Sequence, residues 1–115
     1  MSTPEHDRRI DYIEFGATQL EPIKSFYAKA FGWTFTDYGP HYSSFSDGRL
    51  EGGFTTDSPV GQGALIVLYA SDLEACLERV RAAGGQILQA IFSFPGGRRF
   101  EFADPSGNRL AVWSQ

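Results

Sequence analysis

Two stretches of this chain follow the same plan. Ala17-Thr18-Gln19-Leu20-Glu21 returns as Ala70-Ser71-Asp72-Leu73-Glu74, and Gly32 returns as Gly85 at the same spacing. Further on, Phe45-Ser46-Asp47 matches Phe102-Ala103-Asp104. After a longer turn, Arg49-Leu50-Glu51 matches Arg109-Leu110-Ala111. A repeat of about 50 residues would suit a solenoid, but two copies are too few to stack into one. A single domain of two like modules fits a chain of 115 residues better.

The pattern of apolar residues fills in each module. Ile10–Phe15 reads as a strand. Leu20–Phe31 carries Ile23, Phe26, Tyr27, Ala30 and Phe31 at helical spacing, with Pro22 in the first turn and Gly32 as the stop. Trp33–Tyr38, Tyr42–Ser46 and Arg49–Thr55 read as strands, punctuated by Gly39-Pro40 and Asp47-Gly48. The second half repeats this order. Leu65–Tyr69 is a strand, and Leu73–Ala83 is a helix with Asp72 as its N-cap. Gln86–Phe92, Arg98–Phe102 and Arg109–Trp113 are strands, the last two joined by the turn Asp104-Pro105-Ser106-Gly107. The expected fold is α+β, with two tandem βαβββ modules forming a pseudo-twofold curved sheet around a cleft. Residues 1–9 read as a flexible arm, 10–56 as the first module, 57–63 as a linker and 64–115 as the second module.

Composition removes several function classes. The net charge is −4 and no basic run exceeds two residues, so nucleic acid is not an expected partner. No run of about 18 apolar residues is present, and the first residues are polar. No membrane partner is therefore expected, and a cytoplasmic location follows by default. The single cysteine, Cys76, allows neither an intrachain disulfide nor a cysteine-rich metal knuckle, and reads as a small buried helix residue. His6 and His41 read as arm and turn residues, with His41 and Tyr42 within reach of the cleft rim. No Ser-His-Asp order, phosphate-cradling glycine loop or His-x-x-x-His pair is visible. Ten Phe, five Tyr and two Trp are enough to line a pocket as well as a core.

Three segments together resemble the vicinal-oxygen-chelate superfamily of glyoxalases, bleomycin-resistance proteins and extradiol dioxygenases. Ser25-Phe26-Tyr27 with Phe31-Gly32-Trp33 resembles that family's first helix end. Asp72-Leu73 through Ala83-Gly84-Gly85 resembles its second helix, and Phe102-Ala103-Asp104-Pro105-Ser106-Gly107-Asn108 its closing turn. The resemblance spans residues 10–113 and implies a homodimer. It also implies metal ligands on the first and fourth strands of each module, which fall here at Tyr12, Glu51, Leu65 and Ala111. Only Glu51 keeps a ligand type suited to such a metal. Leu65 and Ala111 cannot bind one, and catalytic zinc sites usually offer three protein ligands. No cofactor is therefore expected, and a divalent metal is disfavoured.

Strand alternation selects the residues that share the cleft face. Tyr12 and Glu14 lie on it, while Ile13 and Phe15 face the helix. Arg99 and Glu101 alternate with Phe100 and Phe102, and Arg109 and Trp113 alternate with Leu110 and Val112. With Glu51, the candidate set is Tyr12, Glu14, Glu51, Arg99, Glu101, Arg109 and Trp113. Glu14 and Glu101 are the candidate acid/base residues, and the other five are candidate ligand contacts. The leading reading is a metal-free protein that binds a small polar or aromatic molecule. The alternatives are a metal-independent lyase or isomerase using a cleft glutamate, a glyoxalase-like metalloenzyme using Glu14, Glu51 and Glu101, and a partner-binding domain without a ligand.

Overall fold

The computed structural model describes residues 4–61 and 63–115. The first three residues of the expected arm and Gln62 of the expected linker lie outside the described residues. The elements run β1 (Arg9–Gly16), α1 (Leu20–Phe31), β2 (Thr34–Asp37), β3 (Tyr42–Ser46), β4 (Glu51–Thr55), β5 (Leu65–Tyr69), α2 (Leu73–Ala82), β6 (Gln86–Phe94), β7 (Gly97–Ala103) and β8 (Arg109–Ser114). The βαβββ order thus occurs twice, as the repeat implies. Two compact units divide the chain. The N-terminal unit is Tyr12–Leu65, and the C-terminal unit is Ile66–Gln115 together with the residues up to Asp11.

In the N-terminal unit the strand order is β2-β3-β4-β1. β1 pairs parallel with β4, placing Tyr12 beside Glu51 and Phe15 beside Phe54, while β3 runs antiparallel to both β4 and β2. A parallel pair needs a long crossover, which α1 and the β2-β3 hairpin supply. Ala17, Leu20, Phe45 and Phe54 form the buried centre, with Phe15, Ile23, Tyr27, Trp33 and Phe35 packed against it. The rings interlock: Trp33 stacks on Phe45 and on Tyr27, each with centroids 4.5 Å apart. Gly32 closes α1, its N–H donating to the Ala28 carbonyl, while Trp33 N–H reaches back to Tyr27.

The C-terminal unit has the order β5-β8-β7-β6. β5 and β8 are parallel, whereas β7 is antiparallel to β8 and β6. Asp72 caps α2 by accepting from Ala75 N–H at 3.0 Å. The helix lays Leu73 and Leu77 over Phe100 and Val112, and Phe100 retains no exposed surface. Pro4–His6 form a 3-10 turn, after which Asp7 makes an isolated bridge with Tyr69.

Two expectations require correction. The strands form an open sheet that is neither closed nor curled, so the expected curved sheet around a cleft is not what the chain adopts. β2 and β6 stand at the two ends of the strand order and do not pair with each other. The repeat sets the number and order of strands. Curvature depends on twist, bulges and strand stagger, which a repeat does not encode. The second correction concerns α1. Phe26 and Phe31 share the helical spacing of Ile23 and Tyr27, yet they are 55% and 64% exposed. The run of apolar residues in α1 is wider than the stripe a four-stranded sheet can cover, and Ile23 and Tyr27 take the inner positions.

Removing the ring at the centre of the C-terminal core should leave a void that its neighbours fill only in part. Phe100→Ala is expected to cost about 3–5 kcal/mol of stability. Asp72→Ala, which removes only a cap, should cost about 1 kcal/mol. Urea unfolding of both variants checks the order.

Candidate functional site

Apolar strand residues of each unit face that unit's helix, so alternation sends the intervening side chains to the opposite face. The seven sequence candidates fall into two groups. Tyr12, Glu14 and Glu51 belong to the N-terminal unit, and Arg99, Glu101, Arg109 and Trp113 belong to the C-terminal unit.

In the N-terminal unit, Tyr12 and Glu14 project from β1 on either side of Ile13. Tyr42 joins them from β3. Its hydroxyl donates to Glu14 Oε2 at 3.0 Å and shares a 2.5 Å hydrogen bond with the Tyr12 hydroxyl. Gly53 makes this arrangement possible. A Cβ at that position would collide with the Tyr42 ring and lie 2.8 Å from the Tyr12 hydroxyl oxygen. Burial pushes the Tyr12 phenol up to about 12. The bond from Tyr42 offsets part of that rise, and the charges of Glu14 and Glu51 add to it. Tyr42 is raised further still, by burial first and then by the negative charge of Glu14. Both phenols therefore stay protonated at neutral pH.

In the C-terminal unit, Glu101 is 8% exposed and holds two guanidinium groups. Arg99 Nη2 donates to Glu101 Oε2 at 3.1 Å, and Arg109 Nε donates to Glu101 Oε1 at 2.9 Å. Arg99 also lies over the Phe92 ring, 5.4 Å from its centroid. Trp113 stands opposite Arg99 in the β7-β8 register. Its indole N–H donates to Asp11 Oδ2 at 3.0 Å. The ring lies beside Gly97, where a Cβ would sit 3.1 Å from Cε3, and meets Tyr69 edge-on at 5.4 Å. Trp113 is thus locked in one orientation while remaining partly exposed.

The expected metal positions can be tested on this geometry. Ala111 is fully buried and stands opposite Val67 in the β5-β8 register, and Val67 is 3% exposed. Leu65 is buried as well. None of these carries a donor atom on its side chain. Among the described residues, no group of three or more His, Cys, Asp or Glu is placed to hold an ion. The side chains present do not fit the metal that the resemblance implies.

Sequence reading gave too small a part to Tyr42, which it placed only at a rim. It missed Asp11 altogether, because period two assigns Asp11 to the side of Ile13. His41 hydrogen-bonds Thr56 across a turn, Nδ1 to Oγ1 at 2.9 Å, as befits a loop residue. A groove of about 530 Å³ opens elsewhere in the N-terminal unit, between the start of α1 and the β2-β3 turn. None of the seven candidates lines it.

A model of the glyoxalase/bleomycin resistance protein/dioxygenase superfamily matches residues 9–112. The chain belongs to that superfamily. An anthracycline biosynthesis protein, DauV, from Streptomyces sp. (strain C5) is 32% identical over 124 residues, covering 89% of this chain and 45% of that protein. The chain therefore spans about half the length of that relative. Solved structures show the same superfamily fold at low identity. A glyoxalase/bleomycin resistance protein/dioxygenase superfamily member from Vibrio splendidus superposes with a TM-score of 0.73 at 18% identity, covering 93% of this chain and 98% of that one. Methylmalonyl-CoA epimerase from Mycobacterium tuberculosis gives 0.69 at 13% identity, covering 99% and 92%. Among the described residues no helix is long and apolar enough to cross a membrane.

The phenols offer a direct check. A phenol whose folded value exceeds the unfolded value near 10.0 contributes stability that is whole below pH 10. For Tyr12 that contribution should drain away as pH rises from 10 towards about 12. Glu14→Gln removes a charge that raises both phenols, so both should ionise at lower pH than in the parent protein. Phenolate absorbance followed against pH measures this.

Proposed function

We propose that this chain is a metal-independent binding member of the superfamily. It takes a small aromatic molecule with polar edges on the helix-free face of the C-terminal unit. Trp113 supplies the stacking surface. The exposed guanidinium of Arg109, held by Glu101, supplies a polar contact. The observation that carries this reading is the fixed Trp113 ring, held by its bond to Asp11 and by the room that Gly97 leaves. A ring already ordered loses little conformational entropy when a ligand stacks on it. The similarity to a protein named for anthracycline biosynthesis supports a planar, multi-ring aromatic as the ligand class.

A second reading, a metal-independent lyase or isomerase, is favoured by one specific observation. The hydrogen-bonded chain Tyr12-Tyr42-Glu14 places a carboxylate next to two protonated phenols, the kind of group pairing used for proton transfer. Similarity in fold to an epimerase agrees with this reading. Glu101 suits the role less well, since both of its oxygens already accept from guanidinium groups.

A thermal-shift panel of planar aromatic compounds, run on chelator-treated protein, tests the first reading. A compound that binds only the folded chain raises the midpoint with saturable dose dependence. Trp113→Ala should weaken that binding by about 1–3 kcal/mol, whereas Glu14→Gln should leave it intact. Midpoint shifts that require an added divalent metal, or that survive in Trp113→Ala, would count against the proposal.

A further inference from the structure

The row of residues that carries Trp113 continues past β5. Trp113 stands beside Tyr69 in the β5-β8 register and beside Arg99 in the β7-β8 register. On the far side of β5, Asp7 makes a parallel bridge with Tyr69, and the Arg8 N–H donates to the Tyr69 carbonyl at 2.7 Å. Asp7 adds a side-chain anchor, its Oδ1 accepting from the Ser71 N–H at 2.8 Å. Further along the same segment, Asp11 Oδ2 accepts the indole N–H of Trp113, while Asp11 Oδ1 faces His6 Nδ1 at 3.5 Å. The segment from His6 to Asp11 thus reaches Trp113 by two routes. One runs through Tyr69, whose ring meets the indole edge-on, and the other through the Asp11 carboxylate. The hold is polar and shallow. Arg8, Arg9 and Ile10 are all exposed, so little apolar burial adds to it. Arg8 also sits at a φ of 60°, in the left-handed region, which costs a non-glycine residue energy that the surrounding contacts must offset. A surface segment held in this way opens locally at far lower free energy than the whole fold.

We propose that His6–Asp11 is a clasp that sets the orientation of Trp113, with Asp7 as its anchor and Asp11 as the positioning residue. The value of that orientation rests on the stacking role given to Trp113 above. The clasp itself does not, and it can be tested without any added compound. With the clasp docked, the indole N–H is bonded and the ring is fixed. With it released, the ring loses that bond, and a molecule stacking on it must order it again. The coupling is reciprocal: a change that loosens Asp7 loosens Trp113, and a change that breaks the indole bond loosens the clasp. A cut after Arg8 or Arg9 separates the anchor from the positioning residue. Cleavage there therefore disables the surface without touching it.

Two readouts on the protein alone test this. The rate of trypsin cleavage after Arg8 and Arg9 follows the open fraction of the clasp. The indole N–H resonance of Trp113, with Trp33 as the internal reference, follows the ring. Asp7→Ala should be cut about tenfold faster, the factor expected for losing one hydrogen bond to a charged group. The same variant should move the Trp113 resonance and leave that of Trp33 in place. Trp113→Phe removes the indole N–H but keeps a ring, and it should also be cut faster. Three results would overturn the proposal: Asp7→Ala cut at the parental rate, Asp7→Ala cut faster with the Trp113 resonance unmoved, or Trp113→Phe cut at the parental rate. Circular dichroism confirms that the variants fold. Should Asp7→Ala unfold, Ser71→Pro deletes the same bond from the donor side, with the same two changes expected and the absence of either overturning the proposal. Should Trp113→Phe unfold, Asp11→Ala takes its place, with faster cleavage expected and a parental rate overturning the proposal.

Discussion

Phe100 has no exposed surface, and Leu73, Leu77 and Val112 pack beside it. The whole polar face of the C-terminal sheet depends on that contact. In a strand, the side chains on either side of a buried one must point the other way, and a slip of one residue would reverse all of them. Holding Phe100 under α2 therefore sends Arg99 and Glu101 away from the helix. Val112 does the same for Ala111 and Trp113. The reversed register would bury Arg99, Glu101 and Arg109 against the apolar side of α2, at a cost of several kcal/mol per charge, on the order expected for buried ions. In the N-terminal unit Phe15, Phe45 and Phe54 play the same part, and Tyr12 and Glu14 face away from α1 as a consequence.

Polar groups delivered to one sheet face must still be satisfied there, and each unit does this in its own way. The C-terminal unit joins opposite charges, with Glu101 between two guanidinium groups. The N-terminal unit links neutral phenols to a carboxylate, and the raised pKa values of Tyr12 and Tyr42 follow from that burial. In both units a glycine makes room for the aromatic groups. Gly53 leaves space for two tyrosines, and Gly97 for the indole of Trp113. Two of the four metal positions implied by family resemblance, Leu65 and Ala111, are meanwhile buried apolar residues.

Much of this was legible in the sequence because it rests on local signals. The bounds of α1, Leu20–Phe31, follow from Pro22 and Gly32 together with the helical spacing between them, and Asp72 caps α2 as its side chain suggests. The face assignments of Glu101 and Trp113 follow from period two, which short, regular strands obey. Features that depend on three-dimensional shape were not legible. Sheet curvature is set by twist and stagger, so the repeat could not forecast an open, uncurled sheet. Phe26 looks like a core residue in one dimension but lies outside the narrow stripe that α1 buries. Tyr42 enters the Glu14 network only because Gly53 leaves space between strands, and Asp11 reaches Trp113 across 102 positions of sequence.

Under the proposed function, Trp113 is an ordered binding surface that works without metal. The most direct measurement is the indole N–H resonance of Trp113 in chelator-treated protein during titration with a planar aromatic compound, using Trp33 as the internal reference. The account predicts a saturable shift of the Trp113 signal, with Trp33, stacked in the N-terminal core, unmoved. A Trp113 signal that stays fixed while Trp33 moves, or one that moves only after a divalent metal is added, would contradict it.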